Sequence, residues 1–252
     1  MGRAKISGFW RRRFAQQANW TRELRAYLFL HAGLNTAQRV LEVGCGTGAI
    51  LSDMQTPAMV HGLDLRLASL KEAKIHAPTF SPTCGDGLYL PYPNQSFDIV
   101  FCHFLLLWVA DPLQTLHEMA RVTRPNGHIL ALAEPDYSNR VDQPAKLAPL
   151  GKWQTESLRR QGAHPNIGRE LAELFYQAGI KIVETGAISQ AEGDPPTSSE
   201  RELEWRALES DLTGKIPDEI IQKFKALDEE AWARGERILY VPTHYLWGRI
   251  AV

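Results

Sequence analysis

The stretch from Val40 to Ile50 combines a strand pattern, an acidic side chain and glycines in a way that could bind a nucleotide-like ligand. Val40, Leu41 and Val43 form a short run of apolar and β-branched residues, as in a buried strand. It is followed by glycines at alternate positions: Gly44, Gly46 and Gly48. Glycine allows a tight turn and lets a ligand approach main-chain atoms closely. We therefore expect a strand, a glycine loop and then a helix over Ile50 to Met54.

The glycine spacing alone is compatible with two classes of ligand. Gly44, Gly46 and Ala49 also satisfy the dinucleotide fingerprint, which tolerates alanine at its last position. Glu42 argues against a dinucleotide, because a carboxylate beside the loop would repel a pyrophosphate. It would suit a ligand that carries an ammonium and a sulfonium, such as S-adenosylmethionine. The alternative is that Glu42 only caps a neighbouring helix or pairs with a lysine.

Two further acidic residues follow strand-like segments. Met59 to Leu63 is an apolar run that ends at Asp64. Asp64 lies about twenty residues past the first glycine, the separation of an acid that binds two ribose hydroxyls. A second short strand is expected to end at Cys84, directly before Gly85 and Asp86. A carboxylate there can accept a hydrogen bond from an exocyclic amine.

Together these motifs resemble the class I S-adenosylmethionine-dependent methyltransferases, whose first motif reads acidic-x-Gly-x-Gly-x-Gly. The block from Gly85 to Asp98 is similar to the Gly-Asp-Ala-x-x-Leu-Pro-Phe-x-x-x-x-Phe-Asp pattern of the ubiquinone/menaquinone biosynthesis group. Here Gly87 stands in the place of the usual alanine. The resemblance covers Arg39 to Glu134 by motif. It implies S-adenosylmethionine as cofactor, with S-adenosylhomocysteine as product, Asp86 on the adenine amino group and the Gly87 N–H on a ring nitrogen.

Candidate site residues follow from these motifs and from the strand Phe97 to Cys102, whose carboxyl end is where ligands bind in open α/β sheets. The expected cofactor-binding residues are Glu42, Gly44, Cys45, Gly46, Asp64, Leu65, Asp86, Gly87, His103 and Phe104. His103 is also the candidate catalytic base, although a lone histidine is more often a structural group. The candidate substrate residues are Trp20, Trp108 and Tyr137. No metal site is expected.

Other charged residues leave two interpretations open. Glu134 and Asp136 end the predicted strand His128 to Ala133, and there they could orient a substrate or belong to an ordinary turn. The cluster Arg11 to Arg13 is interpreted as the solvated face of an N-terminal helix, with contact to RNA as the less favoured alternative. In the resembled family, a segment like residues 1–35 lies over the cofactor, which would make Trp10 and Trp20 lid residues.

Composition narrows the class of protein. The chain has 252 residues and a formal net charge of −1, so no global field favours a nucleic acid or an anionic membrane as partner. Cys45, Cys84 and Cys102 lack CxxC spacing, as is typical of a reducing cytosol. No apolar signal core or membrane-spanning run is present in the sequence. We therefore expect a cytoplasmic protein.

Alternating strands and helices from Val40 onward predict an α/β fold, mostly parallel, with helices on both faces. The resemblance adds a Rossmann-like seven-stranded sheet of order 3-2-1-4-5-7-6 with its last strand antiparallel. We expect one domain, 1–252, in three parts: a helical lid 1–35, a cofactor-binding core 36–136, and substrate-side helices with the last two strands 137–252. Those strands are predicted at Lys181 to Ala187 and Ile238 to Ile250, with a loop at Glu192 to Ser199.

The expected function is methyl transfer from S-adenosylmethionine to a small-molecule acceptor by in-line displacement at the sulfonium methyl. Such a methyl is already activated, so positioning can supply most of the acceleration. Two alternatives stay open at this point. One is an NAD-dependent oxidoreductase, and the other is a non-catalytic S-adenosylmethionine-binding protein.

Overall fold

A computed structural model describes residues 8–188 and 196–251. Over these residues the strands, in chain order, are β1 Arg39–Val43, β2 Met59–Asp64, β3 Ser81–Cys84, β4 Phe97–Cys102, β5 Thr123–Pro135, β6 Val141–Gln143, β7 Lys181–Ile188, β8 Ile238–Tyr240 and β9 Thr243–Arg249. The α-helices are α1 Gly8–Trp20, α2 Arg22–His31, α3 Leu67–His76, α4 Pro112–Val122, α5 Ala148–Arg160, α6 Ile167–Gln177, α7 Ser198–Leu212 and α8 Asp218–Ala233.

Seven of these strands form one sheet of order β3-β2-β1-β4-β5-β9-β7. The pairs among β1 to β5 are parallel, and β9 runs antiparallel to both β5 and β7. If only the strands of this sheet are numbered, the order is the predicted 3-2-1-4-5-7-6. The parallel arrangement brings the carboxyl ends of β1, β2, β4 and β5 to the same edge.

Helices cover both faces of the sheet, as predicted. On one face, α4 and α6 pack on alternate strand residues such as Val43 and Val100. On the other face, α2 packs on the intervening residues, with Phe29 against Phe101 at a ring-centroid distance of 5.1 Å. A parallel sheet buried on both sides needs apolar residues at successive positions, which is why β4 reads as an almost unbroken apolar run.

Two predicted elements differ in the structure. The expected helix at Ile50 to Met54 is only a 3₁₀ turn, Leu51–Asp53. Gly46 and Gly48 both have positive φ, so the chain makes successive turns and only a few residues remain before Pro57. The last predicted strand is split into β8 and β9 at Pro242, which has no N–H to donate to a ladder.

The first half of the split strand has a separate partner. β8 pairs with β6 in a two-stranded sheet, outside the main sheet. The loop predicted at Glu192 to Ser199 lies partly outside the described residues. Its described end, Pro196 and Thr197, leads into α7, where Thr197 and Glu200 form a capping box.

A substitution at Gly48 tests whether the close packing of the glycine loop on α3 requires glycine. A Cβ at this position would lie 3.0 Å from the Cβ and 3.2 Å from the Cα of Ala73 on α3, and φ is +77°. Gly48→Ala should therefore lower the free energy of unfolding by about 2 kcal/mol or more, measured by urea unfolding.

Gly162 is the matched control, because its φ is +83° but a Cβ added there would meet nothing within 4 Å. Gly162→Ala should cost only about 1 kcal/mol, the backbone contribution alone. Equal losses in the two variants would show that packing of the loop on α3 adds nothing.

Candidate active site

A cavity of about 800 Å³ opens at the carboxyl ends of β1, β2 and β4. Its wall includes all but one of the predicted site residues: Glu42, Gly44, Cys45, Gly46, Asp64, Leu65, Asp86, Gly87, His103, Phe104, Trp108 and Tyr137. The exception, Trp20, lines a neighbouring cavity of about 590 Å³. The two cavities share wall residues, among them Phe104 and Tyr137. The sequence motifs therefore converge on one site, and Trp20 lies beside it.

The glycine loop after β1 is held against β2 by backbone hydrogen bonds. The N–H groups of Gly44 and Cys45 donate to the Leu63 carbonyl oxygen at 2.7 and 2.9 Å. A Cβ on Gly44 would lie 2.5 Å from Leu105 Cδ1, and φ there is +75°. Both the conformation and the close approach therefore require glycine at this position.

Asp64 joins β2 to the loop. Its Oδ2 accepts a hydrogen bond from the Gly46 N–H at 2.9 Å, and its Oδ1 accepts one from the Arg66 N–H at 2.8 Å. Each carboxylate oxygen can accept a further hydrogen bond, so the pair can still receive two hydroxyl donors. Asp64 thus has the chemistry that a ribose requires.

Asp86 and Gly87 lie on the wall next to β1. Asp86 Oδ1 accepts from the Leu88 N–H at 3.0 Å, which orients the carboxylate. A Cβ on Gly87 would make only ordinary contacts, the nearest at 3.4 Å to Val43 Cγ1. The departure from the alanine of the resembled family is therefore sterically neutral.

Glu42 is a carboxyl group of this site with an oxygen that lacks a hydrogen-bond partner among the described residues. It is 2% exposed, and its Oε2 has no hydrogen-bond partner among the described residues. Burial raises the pKa of Glu42 to about 8, opposed by the positive charge of Arg25. The alternatives of a helix cap or a lysine pair are not seen in the described part of the chain. A cationic ligand group would supply the missing partner.

His103 is held by the N-terminal helices. Its Nε2 lies 3.1 Å from Thr21 Oγ1, which also accepts a hydrogen bond from Arg25 Nη1 at 3.0 Å. Burial, and secondarily the charge of Arg25, lower the pKa of His103 to about 3. The ring is therefore neutral near pH 7 and a weak proton acceptor. Its role as a base stays a prediction, and this geometry favours a hydrogen-bonding role instead.

The N-terminal segment forms part of the cavity wall through Trp10, Arg13 and Phe14. Arg11 and Arg12 are exposed, in agreement with a solvated face. Arg13 is not: it is 7% exposed and pairs with Glu204 on α7 at 2.7 Å. The interpretation of all three arginines as solvated was wrong for Arg13, because the helical turn points it towards α7.

The acidic residues after β5 are mainly structural. Glu134 accepts from the N–H groups of Leu105 and Leu106 at 2.9 Å and from that of Leu107 at 3.2 Å. Burial raises the pKa of Glu134 to about 7, and these hydrogen bonds oppose the shift. Asp136 is fully buried in a bidentate pair with Arg169 at 2.8 and 2.9 Å. Neither acid lines the cavity, whereas Tyr137, which follows them in the chain, does.

Sequence reasoning missed the far wall, which comes from α5 and α7. It is formed by Gln154, Leu158, Gln161, Ala207, Ser210 and Asp211. The spacing of the α7 residues, at i, i+3 and i+4, places them on one helix face. That spacing predicts a common helix face for the three residues. The sequence alone does not show that this face contacts the cavity.

Comparisons with known proteins agree with this geometry. A family model described as "Methyltransferase domain" matches residues 41–131. The chain is 31% identical over 177 residues to a demethylmenaquinone methyltransferase of Bacillus licheniformis, covering 59% of this chain and 75% of that protein. It is 36% identical over 99 residues to a malonyl-[acyl-carrier protein] O-methyltransferase of Halorhodospira halophila, covering 37% of this chain and only 34% of that protein's length.

The fold is also that of a solved methyltransferase. The structure of geranyl diphosphate C-methyltransferase from Streptomyces coelicolor A3(2), in complex with S-adenosylhomocysteine, matches with a TM-score of 0.57. The match covers 90% of this chain and 75% of that one at 15% identity, and it concerns the fold alone. The sheet and the site define a methyltransferase. This chain belongs to the S-adenosylmethionine-dependent methyltransferase family, with similarity to its menaquinone and ubiquinone biosynthesis members.

Residues 8–188 and 196–251 lack two further features. No helix there is long and apolar enough to cross a membrane. No group of three or more His, Cys, Asp or Glu side chains in the same residues is arranged to hold a metal ion.

The raised pKa of Glu42 predicts a pH dependence of stability. Because the folded pKa of about 8 lies above the ordinary value of 4.5, the native state holds this proton more tightly than the unfolded chain. The contribution of this proton to the stability of the native state is complete below the unfolded pKa of about 4.5. It is lost progressively as the pH rises towards the folded pKa of about 8. Relative to Glu42→Gln, the wild-type free energy of unfolding should fall between pH 6 and 8, by at most about 1.4 kcal/mol per pH unit.

Chemical unfolding across this pH range measures the difference. Glu173→Gln, which changes an exposed carboxylate on α6, is the control and should follow the wild type. Parallel curves for wild type and Glu42→Gln would mean that the Glu42 carboxyl is not perturbed by burial.

Proposed function

We propose that this protein transfers the methyl group of S-adenosylmethionine to a small-molecule acceptor. The observation that carries the proposal is the buried Glu42 carboxyl, without a partner for Oε2 among the described residues, beside the glycine loop. A carboxyl there accommodates an ammonium or sulfonium and opposes a pyrophosphate. Membership of the methyltransferase family supports the same choice.

In this proposal, different residues of the cavity bind the ribose, the adenine and the methionine part of the cofactor. Asp64 would accept hydrogen bonds from the ribose hydroxyls, and Asp86 would accept one from the adenine amino group. The Gly87 N–H would donate to a ring nitrogen, and Glu42 would face the methionine ammonium. Gly44, Cys45 and Gly46 would present the loop backbone, while Leu65, His103 and Phe104 would complete the wall.

Positioning is the main contribution of the protein in this proposal. When bound, S-adenosylmethionine supplies an activated methyl group, which an oxygen, nitrogen or carbon nucleophile of the acceptor displaces in line. The chain would hold the two reactants next to each other in one cavity. Tyr137 and Trp108 would contact the acceptor, because they line the part of the wall beyond the loop. Trp20 would contribute only through the neighbouring cavity.

The names of the relatives suggest acceptor classes without fixing one. They include a demethylmenaquinone methyltransferase and a malonyl-[acyl-carrier protein] O-methyltransferase. The first name specifies demethylmenaquinone as acceptor, and the second specifies a malonyl group on a carrier protein. A small organic acceptor group is common to both and is what we propose here.

Calorimetric titration with S-adenosylmethionine, S-adenosylhomocysteine and NAD tests the proposal. We expect binding of the first two and none of NAD, followed by transfer of radiolabelled methyl in an acceptor screen. Preferential binding of NAD would contradict the cofactor assignment. Cofactor binding without turnover on any acceptor would favour a non-catalytic binding protein.

Asp64→Ala should weaken the binding of S-adenosylmethionine by about 1–3 kcal/mol, because the ribose hydroxyls lose their acceptors. Isothermal titration calorimetry measures the affinity. Asp218→Ala, which removes an exposed aspartate on α8 outside both cavities, is the matched control and should leave the affinity unchanged. An unchanged affinity in Asp64→Ala, with the fold intact by circular dichroism, would refute the assignment of this residue.

His103→Asn separates the two roles of the histidine. If His103 removes a proton from the acceptor, the variant should lose turnover by about 10²–10⁴-fold and retain cofactor affinity. The low pKa leads us to expect the other result, a turnover loss of no more than about tenfold. Steady-state kinetics with the acceptor found in the screen, beside calorimetry, distinguishes them.

A further inference from the structure

The far wall of the first cavity contains a carboxylate that the cofactor does not need. Asp211 lies on α7 and lines the same cavity as Tyr137 and the glycine loop. Its Oδ2 accepts a hydrogen bond from Gln154 Nε2 at 2.9 Å, and its Oδ1 accepts one from Gln161 Nε2 at 3.2 Å. The two glutamines hold the carboxylate in place and leave each oxygen able to accept again.

No cation neutralises this carboxylate directly. Among the described residues, no Lys, Arg or His nitrogen lies within 4.0 Å of the Asp211 carboxylate oxygens. Lys215, one turn further on, donates to the Asp211 main-chain carbonyl oxygen at 3.3 Å. The carboxylate oxygens are therefore free of a direct ion pair, and the charges of Lys215 and Arg13 act on them only from a greater distance.

The position of Asp211 in its helix is locally unfavourable. It lies in the last turn of α7, which ends at Leu212 and has no basic residue there. The partial negative charge of a helix C-terminus opposes a carboxylate. A residue that breaks a local rule inside a cavity is a candidate for a role in ligand binding.

A further cation whose charge acts on Asp211, Arg13, is already paired. Arg13 lines both cavities, but its Nη2 lies 2.7 Å from Glu204 Oε1 and its Nη1 donates to Gln16 Oε1 at 2.8 Å. Its guanidinium also stacks 4.8 Å from the Trp20 ring centroid. The acceptor part of the wall thus combines an unneutralised carboxylate with a neutralised arginine.

Tyr137 adds a neutral group to the same wall. Its hydroxyl makes no hydrogen bond with the described residues. Burial raises the pKa of Tyr137 to about 12, so the hydroxyl keeps its proton near pH 7. Burial also raises the pKa of Asp211, and the two glutamine hydrogen bonds oppose that shift.

We propose that Asp211 selects the methyl acceptor by accepting a hydrogen bond from its O–H or N–H group, so that phenol- or amine-type acceptors are preferred over carboxylates. The inference rests on the proposed methyltransferase function and narrows its substrate class. A carboxylate acceptor beside Asp211 would face a like charge, because no cation among the described residues lies within 4.0 Å of the Asp211 carboxylate oxygens. A donor group would instead receive a charge-assisted hydrogen bond.

The test measures binding of three simple probes, phenol, aniline and benzoate, to the full chain saturated with S-adenosylhomocysteine. We expect phenol and aniline to bind more tightly than benzoate in the wild type. Asp211→Asn should reduce the phenol-to-benzoate affinity ratio by about tenfold, since it removes the charge and keeps the shape. Glu202→Gln, an exposed carboxylate on the same helix, should leave the ratio unchanged.

Several outcomes would overturn the proposal. These are benzoate binding as tightly as phenol to the wild type, an unchanged ratio in Asp211→Asn, or no detectable binding of phenol and aniline. The wild-type comparison decides even if Asp211→Asn fails to fold. Absence of S-adenosylhomocysteine binding at the first step would instead contradict the proposed function, so the two failures are distinguishable.

Discussion

The hydrogen bond from the Gly46 N–H to Asp64 is the interaction on which the site most depends. It joins the loop after β1 to the end of β2 at 2.9 Å, and the Arg66 N–H holds the other carboxylate oxygen. Parallel strands end with backbone N–H groups that the sheet does not satisfy, and buried polar groups of this kind need partners. The acidic residue therefore has a structural role before any ligand binds, and it is preorganised for one.

Carboxylates that accept hydrogen bonds from backbone N–H groups also occur at the ends of other strands of the sheet. Glu134 satisfies three N–H groups after β4, which holds Leu105 against Gly44 and sets one wall of the cavity. At the opposite edge, Asp98 accepts from the Gln38 and Arg39 N–H groups at 2.8 Å each. Against these satisfied carboxylates, the Glu42 oxygen that lacks a partner in the described chain stands out. That contrast separates Glu42 from the acids whose oxygens the described chain itself satisfies.

The strands and the cofactor side of the cavity could be predicted because their signals are local. A buried strand, glycines at fixed spacing and an acid at each strand end all lie within a few residues of one another. The turn after Gly48 was not predictable as a 3₁₀ turn, because the pattern does not report φ. Asp211 and Arg13 were missed because their meaning depends on helices that meet only in the folded chain. Glu134 and Asp136 were ambiguous for the same reason, since their partners are set by tertiary packing.

Arg25 explains how the structure tolerates Glu42. It is 4% exposed, and its charge lowers the pKa of Glu42 against the larger effect of burial. It also bonds to Thr21, next to His103, and lies 3.5 Å from Asp53 after the glycine loop. The N-terminal helices thus bring a cation close to the acid that a ligand cation would approach. Arg25 contacts Asp53 and Thr21 and makes no hydrogen bond with Glu42 Oε2. Its positive charge therefore stabilises the ionised form of Glu42 without giving Oε2 a partner. Helix α2 therefore contributes to the electrostatics of the cavity as well as to its cover.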